Sequence, residues 1–221
     1  MALTAFALGL LGVAGCQSAG YNKSTAAAVS LQTAALEVQA ESQALETTIA
    51  ALDDLVERPA GDLRMQYRAY RTALNRLNNS VNRTESTGIK MRQKNAAYLK
   101  SWDQQLAVMN FEHVRQSSEA RKAEVSNQLK QIDTRYDDTH TAVGPLVAYL
   151  EDIRLALDAD LTLAGLAAVK PIVSNAGENA AKVKTALARL SEELTDSSSR
   201  MSSIMVQTVS AQPAPAEVGR P

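Results

Sequence analysis

The feature that most constrains the fold is a heptad pattern running from Leu63 to Met109. Apolar and small residues recur in it at alternating spacings of four and three: Leu63, Tyr67, Tyr70, Leu74, Leu77, Val81, Thr84, Gly88, Met91, Asn95, Tyr98 and Trp102, then Leu106 and Met109 after a small drift. Such sustained spacing predicts a coiled-coil or bundle helix. At about 1.5 Å per residue this helix would be a rod of roughly 70 Å.

Three other segments show the same spacing, from Ala28 to Val56, from Val125 to Leu161 and from Leu166 to Ile204. Pro and Gly between Arg58 and Asp62, an N-capping Asn110 and a turn near Thr162 separate the four helices. Short turns make consecutive long helices antiparallel neighbours. We therefore predict an all-α fold, an elongated antiparallel four-helix coiled-coil bundle over residues 24–206, followed by a disordered tail at residues 207–221.

Helix lengths predict a projecting hairpin formed by the second and third helices. If the first helix begins near Ser24, the chain from Asn95 to Leu129 extends past it. The tip of this hairpin holds Trp102, Met109 and Phe111, which we predict as a contact with a partner or with the membrane. The alternative is that Trp102 and Phe111 only close the end of the hairpin.

Heptad alignment also predicts contacts inside the bundle. Gly88 falls opposite Tyr136, a small residue against a large one. Pro145 lies in the third helix without a change of heptad phase, which favours a kink over a helix end. Two interhelical ion pairs are expected, Glu46 with Arg71 and Asp53 with Arg64.

Charge is unevenly distributed along a chain whose formal net charge is only −1. The segment from Ser24 to Glu57 contains acidic residues and no basic one, whereas the segment from Arg58 to Lys100 is strongly basic. A basic helix can bind lipid headgroups or nucleic acid. We expect the acidic first helix to neutralise it instead, and no nucleic-acid partner.

The N-terminus resembles that of an exported bacterial lipoprotein. An apolar run of about 13 residues is too short to span a membrane and suits a signal peptide, and it ends in the lipobox-like sequence Val13-Ala14-Gly15-Cys16. The resemblance implies a signal peptide at residues 1–15, an acylated Cys16 and a linker at residues 16–23. No basic residue precedes Lys23, so either the true start lies upstream or the free amine serves alone; the alternative is that Cys16 is an ordinary thiol.

No arrangement of residues indicates catalysis, a metal or a cofactor. Asp137 and His140 form at most one half of a di-metal motif, and the other histidine, His113, has no such neighbour. Neither a Gly-rich phosphate loop nor a nucleophile with its base is present. We therefore expect a protein that is not an enzyme.

Several short stretches resemble an uncharacterised family of bacterial helical lipoproteins, domain of unknown function 2959. They are Val13 to Cys16, Trp102 to Asn110, Val114-Arg115, Ser118, Arg135-Tyr136, Pro145, Asp152-Ile153 and the turn from Leu157 to Leu166, whereas Pro171 departs from the pattern. The resemblance implies a helical fold and, because Gln17 replaces the Asp that retains such lipoproteins at the inner membrane, an outer-membrane anchor facing the periplasm. It implies no activity.

Two functions fit these features. The first is an outer-membrane-anchored structural or protein-interaction module, attached through lipid on Cys16 and contacting an unknown protein partner. The alternative is a carrier of a small apolar or lipid ligand, which requires a hollow core at the layers of Ser42, Thr84, Gly88 and Thr139.

Overall fold

Four long α-helices account for nearly all of the chain that the computed structural model describes, residues 19–210, with side chains placed for residues 21–202. Each helix packs against two neighbours, so that α1 and α3 both contact α2 and α4. The all-α prediction is confirmed, with helices at these bounds: α1 Ala19–Glu57, α2 Arg64–Leu106, α3 Glu112–Ala159 and α4 Leu163–Ser210.

Both ends of the bundle are more helical than the sequence predicts. α1 begins at Ala19, five residues before the expected start at Ser24, and α4 continues to Ser210, into the segment expected to be a tail. The extension of α4 has a simple cause, since neither Pro nor Gly occurs between Gly177 and Pro213. The predicted signal peptide, Cys16 and the tail beyond Ser210 lie outside the described residues.

The early start of α1 shortens the part of the hairpin that extends past it. α1 has 39 residues against 43 in α2. Because a short turn joins them, α2 extends beyond α1 by only about 6 Å. Asn95, expected at the base of the projecting part, is 3% exposed and therefore belongs to the packed bundle.

Side chains hold the turns between the helices. Asp62, one residue before the N-cap Leu63, accepts a hydrogen bond from the backbone N–H of Arg64 at 3.0 Å. Gln66 contacts the turn before α2 twice, accepting from the N–H of Ala60 and donating to the carbonyl oxygen of Arg58. At the tip the N-cap is Phe111 rather than Asn110, because extended backbone continues through Phe111 before α3 begins.

Thr162 caps the start of α4, and its removal should weaken the bundle. Its hydroxyl oxygen accepts a hydrogen bond from the N–H of Gly165 at 3.1 Å, which satisfies a backbone donor that has no partner within the helix. We expect Thr162→Ala to lower the free energy of unfolding by about 1 kcal/mol. Urea denaturation followed by circular dichroism measures this change. Thr162→Ser keeps the hydroxyl and should unfold like the wild type; equal losses in both variants would contradict the capping role.

Buried side chains follow the predicted heptad positions closely in α2 and α3. Tyr70 and Tyr67 of α2 reach across to α3 and donate to the carbonyl oxygens of Leu150, at 2.6 Å, and Arg154, at 3.2 Å. Burial raises the pKa of both phenols, that of Tyr67 to about 12. Both tyrosines therefore stay neutral and connect the two helices near the end opposite the tip.

Candidate functional site

Trp102 lies inside the hairpin tip and joins its two helices. The indole Nε1 donates a hydrogen bond to the hydroxyl oxygen of Ser118 on α3 at 2.9 Å. The Trp102 ring also lies 5.5 Å from the ring of Tyr98, one helical turn away. Because Trp102 is half-buried and hydrogen-bonded within the chain, its main role in this structure is to close the hairpin.

Phe111 points the other way and belongs to an exposed apolar tip, which we define as Val108, Met109, Phe111 and Val114. Val108 is 70% and Phe111 71% exposed; Val114 is also exposed, and Met109 is half-buried. The three residues that the sequence places together are thus divided, with Trp102 turned inward and Phe111 outward. Val108 and Val114 were missed because they lie off the heptad seam, where the pattern assigns no contact.

Charged side chains beside the tip are paired with one another. An open groove of about 540 Å³ runs between the ends of α2 and α3. On its walls Lys122 contacts Asp103 at 2.5 Å, and Arg115 forms ion pairs with Glu112 and Glu119. The apolar tip takes no part in these ion pairs, and the ring of Phe111 lies 6.3 Å from that of His113, which is itself exposed.

A second unusual feature is a group of polar side chains in the middle of the bundle, which we call the central polar layer: Glu41, Thr84, Tyr136, Thr139 and His140. Glu41 is only 1% exposed. The five side chains line a small void of about 10 Å³ together with Val38, Leu187 and Leu190. A void of this size is at the lower limit for one water molecule.

Hydrogen bonding in the central polar layer is incomplete. Tyr136 donates from its hydroxyl to the carbonyl oxygen of Thr84, and Thr84 donates to the carbonyl oxygen of Glu37 at 3.4 Å. Oε2 of Glu41 and Nε2 of His140 are buried without a protein partner. Burial raises the pKa of Glu41, against the opposing effects of Thr84 and the His140 charge, because a desolvated carboxylate is unfavourable.

Sequence analysis missed Glu41 because α1 buries a second row of residues beside the predicted seam. Most of the predicted seam is buried, with Leu31, Val38, Leu45 and Leu52 at 0–1% exposure, whereas Ser42 is only half-buried. The second row lies one residue before alternate seam positions: Ala27, Ala34, Glu41, Thr48 and Leu55. Heptad spacing predicts one row, and the contact of α1 with both α2 and α4 buries the other.

The layers expected to be hollow in a carrier are filled. Gly88 faces the ring of Tyr136 as predicted, and a Cβ atom placed on Gly88 would come within 2.5 Å of Tyr136 Cε1. The only cavity found at these layers in the described residues is the small void of the central polar layer, which is too small for an apolar ligand.

Most of the expected pairing between α1 and α2 is wrong. Glu46 pairs with Lys184 of α4 at 3.1 Å, not with Arg71, and Arg64 pairs with its neighbour Asp62, not with Asp53. Among the described residues, one ion pair joins the two helices, Arg83 with Glu37 at 3.3 Å. α1 directs acidic side chains toward α4 as well, so the positive charge of α2 is largely left unpaired.

Metal ligands and membrane-spanning helices are both absent from the described part of the chain. Residues 19–210 contain no cluster of three or more His, Cys, Asp or Glu side chains that could hold a metal ion. Asp137 instead accepts a hydrogen bond from Arg92 at 2.7 Å, and His113 is exposed at the tip. None of the four described helices combines the length and apolar character needed to cross a bilayer.

Fold and surface together define a class of protein, the elongated four-helix coiled-coil bundle with a polar interior layer and an apolar tip. The chain belongs to the family described as protein of unknown function, DUF2959, whose model matches residues 14–206. This match confirms the resemblance found in the sequence. No curated protein and no solved structure matches the chain.

Proposed function

We propose that this protein is an outer-membrane-anchored periplasmic lipoprotein, attached through lipid on Cys16, that acts as a non-catalytic structural or protein-interaction module. The observation that carries the proposal is the position of the apolar tip. Phe111 and Val108 are the most exposed large apolar side chains in the described residues, and they lie at the end of the bundle where α1 begins. Exposed apolar clusters of this kind mark contact sites.

Chain geometry supports an anchor close to the tip. α1 begins at Ala19, three residues after Cys16. Three extended residues span at most about 11 Å. A lipid on Cys16 would therefore hold this end of the bundle near the membrane surface, with the tip beside the anchor and the rest of the rod extending from it.

Packing of the interior favours a structural module over a carrier. The void in the central polar layer is about 10 Å³, and its lining combines five polar side chains with Val38, Leu187 and Leu190. A pocket for a small molecule typically measures several hundred Å³ and is largely apolar. The interior is thus suited to specifying how the helices pack, as buried polar residues do in coiled coils.

Lipidation can be tested directly in cells. The wild-type chain should incorporate labelled palmitate and fractionate with the outer membrane, because acylation of Cys16 is the proposed attachment. Cys16→Ala should incorporate none and lose its outer-membrane location. A wild-type protein without label, or a labelled Cys16→Ala protein, would contradict the anchor.

The tip can be tested separately from the anchor by exchanging exposed side chains. Phe111→Ser should abolish crosslinking to the partner, here measured as adducts of a photoreactive residue at position 108. Because Phe111 is exposed, we expect the free energy of unfolding to stay within about 0.5 kcal/mol of wild type. The matched control is Leu36→Ser, an exposed apolar residue on α1 away from the tip, which should leave the adducts unchanged.

Trp102→Phe should have the opposite effect to Phe111→Ser, because it should lower stability without preventing crosslinking. It removes the hydrogen bond to Ser118 and should cost about 0.5–1.5 kcal/mol of unfolding free energy, while the adducts at position 108 persist. Loss of adducts in Leu36→Ser, or their persistence in Phe111→Ser, would overturn the role of the tip.

A further inference from the structure

The outward face of α2 carries a strong positive charge. α2 contains nine basic and two acidic residues, whereas α1 contains one basic and six acidic residues. Three of the nine basic residues, Arg64, Arg83 and Arg92, form ion pairs. We propose that the unpaired basic residues of α2 bind the anionic lipid headgroups of the membrane to which the protein is anchored.

Six basic side chains of α2 form no ion pair among the described residues, and all six are exposed: Arg68, Arg71, Arg76, Lys90, Lys94 and Lys100. Three of the six acidic residues of α1 are engaged away from α2. Glu57 pairs with Lys170 and Glu46 with Lys184, both on α4, and Glu41 is buried in the central polar layer. Arg71 lies over the ring of Tyr67, which leaves five side chains directed to solvent.

These five side chains, Arg68, Arg76, Lys90, Lys94 and Lys100, form what we call the basic face. At about 100° per residue they fall within an arc of about 120° on the side of the helix opposite its buried positions. From Arg68 to Lys100 they extend over about 48 Å of the helix, with a gap of about 21 Å between Arg76 and Lys90. Glu85 is the one acidic residue of α2 between Arg68 and Lys100. The basic face is therefore long and predominantly positive, and it matches an extended anionic surface.

Apolar side chains in and beside this arc favour a lipid surface over a soluble polyanion. Met65 lies within the arc and Ile89 about 20° outside it, and both are exposed. Exposed apolar residues among basic ones are typical of helices that lie on a membrane surface, where the apolar groups enter the interface. A hydrated polymer of negative charge offers such groups no apolar environment.

Position in the molecule supports the same partner. Lys100 lies near the tip end of α2, which is also the end where α1 begins and where the proposed lipid is attached. Stable attachment commonly combines a lipid with a polybasic patch. The inference rests on the proposed function for the identity of the membrane, but the binding of lipid headgroups can be measured without the anchor.

The test uses the full chain carrying Cys16→Ser, sedimented with vesicles of phosphatidylglycerol and phosphatidylcholine or of phosphatidylcholine alone. In the face variant Arg76, Lys90 and Lys94 are replaced by Gln. In the matched control Lys130, Lys182 and Arg189 are replaced by Gln; these are one Arg and two Lys that are exposed, unpaired and located on α3 and α4. Both variants have the same net charge. Both also keep residues 1–15, so any vesicle binding through the apolar run is the same in the two variants and in their parent.

We expect the face variant to bind the anionic vesicles roughly 100-fold more weakly than its parent, since each basic residue near such a surface contributes about fivefold. The control should lose far less, and raising the salt concentration should remove the difference between parent and face variant. Equal losses in both variants would assign the binding to net charge, and equal binding to both kinds of vesicle would exclude headgroup charge; either result overturns the inference.

The palmitate experiment, and not the vesicle experiment, tests the lipid anchor. If the wild type took up no palmitate, the proposed attachment would be wrong, while the vesicle result, obtained without lipid on Cys16, would still decide whether the basic face binds anionic headgroups. All replaced side chains are exposed, so equal thermal unfolding of the three proteins by circular dichroism is the expected control for folding.

Discussion

Replacement of Tyr136 by alanine is expected to lower the free energy of unfolding by about 3–5 kcal/mol, as is typical for the loss of a large buried ring. Tyr136 is 2% exposed, contacts Gly88 on α2 and donates a hydrogen bond to the carbonyl oxygen of Thr84. Its removal leaves a cavity beside the central polar layer. Urea denaturation of the Cys16→Ser protein, followed by circular dichroism, measures the change.

The contact between Gly88 and Tyr136 predicts that Gly88→Ala destabilises the wild type but stabilises a protein that carries Tyr136→Ala. In the wild type, Gly88→Ala inserts a methyl group against a fixed ring and should cost about 1–3 kcal/mol. In the Tyr136→Ala background the same methyl group enters the cavity, and alanine should stabilise the helix by about 1 kcal/mol relative to glycine. The cycle thus isolates one contact between α2 and α3.

Gly177 provides the control for helix propensity. It lies within α4, and a Cβ atom there would meet nothing within 4 Å. We expect Gly177→Ala to stabilise the protein by about 1 kcal/mol in both backgrounds. If Gly88→Ala behaved in the same way in the wild type, the tight packing of Tyr136 against α2 would be contradicted.

Replacement of Glu41 by glutamine should stabilise the protein at neutral pH, because a neutral amide does not bear the desolvation penalty of a buried carboxylate. The side chain keeps its shape but can no longer ionise. Oε2 of Glu41 has no protein partner, and desolvation raises the pKa of the carboxyl group above its ordinary value of 4.5. Ionised Glu41 therefore opposes folding.

The pH dependence of this effect follows from the direction of the shift. Because the folded protein holds the Glu41 proton more tightly than the unfolded chain does, folding is most favoured below pH 4.5, where both states are protonated. The free energy of unfolding that Glu41 contributes falls as the pH rises from 4.5 to the raised pKa of the folded state. Above that pKa it no longer changes with pH. The gain from Glu41→Gln should accordingly vanish at low pH.

Glu37, one helical turn before Glu41, is the control for the substitution. It is partly exposed and paired with Arg83, so Glu37→Gln should not stabilise the protein at neutral pH. Asp53 and Asp133 also have raised pKa values, both chiefly through burial, and their contribution to the pH slope should remain in either variant. A Glu41→Gln protein whose gain did not depend on pH would contradict an ionised, desolvated Glu41.

Much of the architecture was predictable because local signals and heptad spacing agree. In α2 and α3 the predicted seam is close to the observed core, and Pro145 continues the helix as its phase indicates. Gly88 opposite Tyr136 followed from counting layers alone. These features depend on spacing along one helix or on the length of a short turn, and both can be counted in the sequence.

Interactions between helices were predicted less well. Glu46 can reach a basic residue on either side of α1, and only the arrangement of all four helices places Lys184 nearer than Arg71. Trp102 and Phe111 looked equivalent as aromatic residues near one tip, yet a single hydrogen bond to Ser118 turns Trp102 inward. Val108 and Val114 could not be identified because exposure at a turn has no periodic signal.

The sequence by itself determined that the chain forms four long antiparallel helices, where they turn, and that it belongs to its family, because periodicity and turn residues act locally. Only the tertiary structure decided that α1 buries a second row beside its predicted seam, and with it Glu41 and Thr48. The physical reason is that α1 packs against both α2 and α4 and so buries a wider face than a single seam. Apolar pairs such as Ala34-Ala35 allow both rows to be buried, but the spacing of one helix does not show how many neighbours it will have.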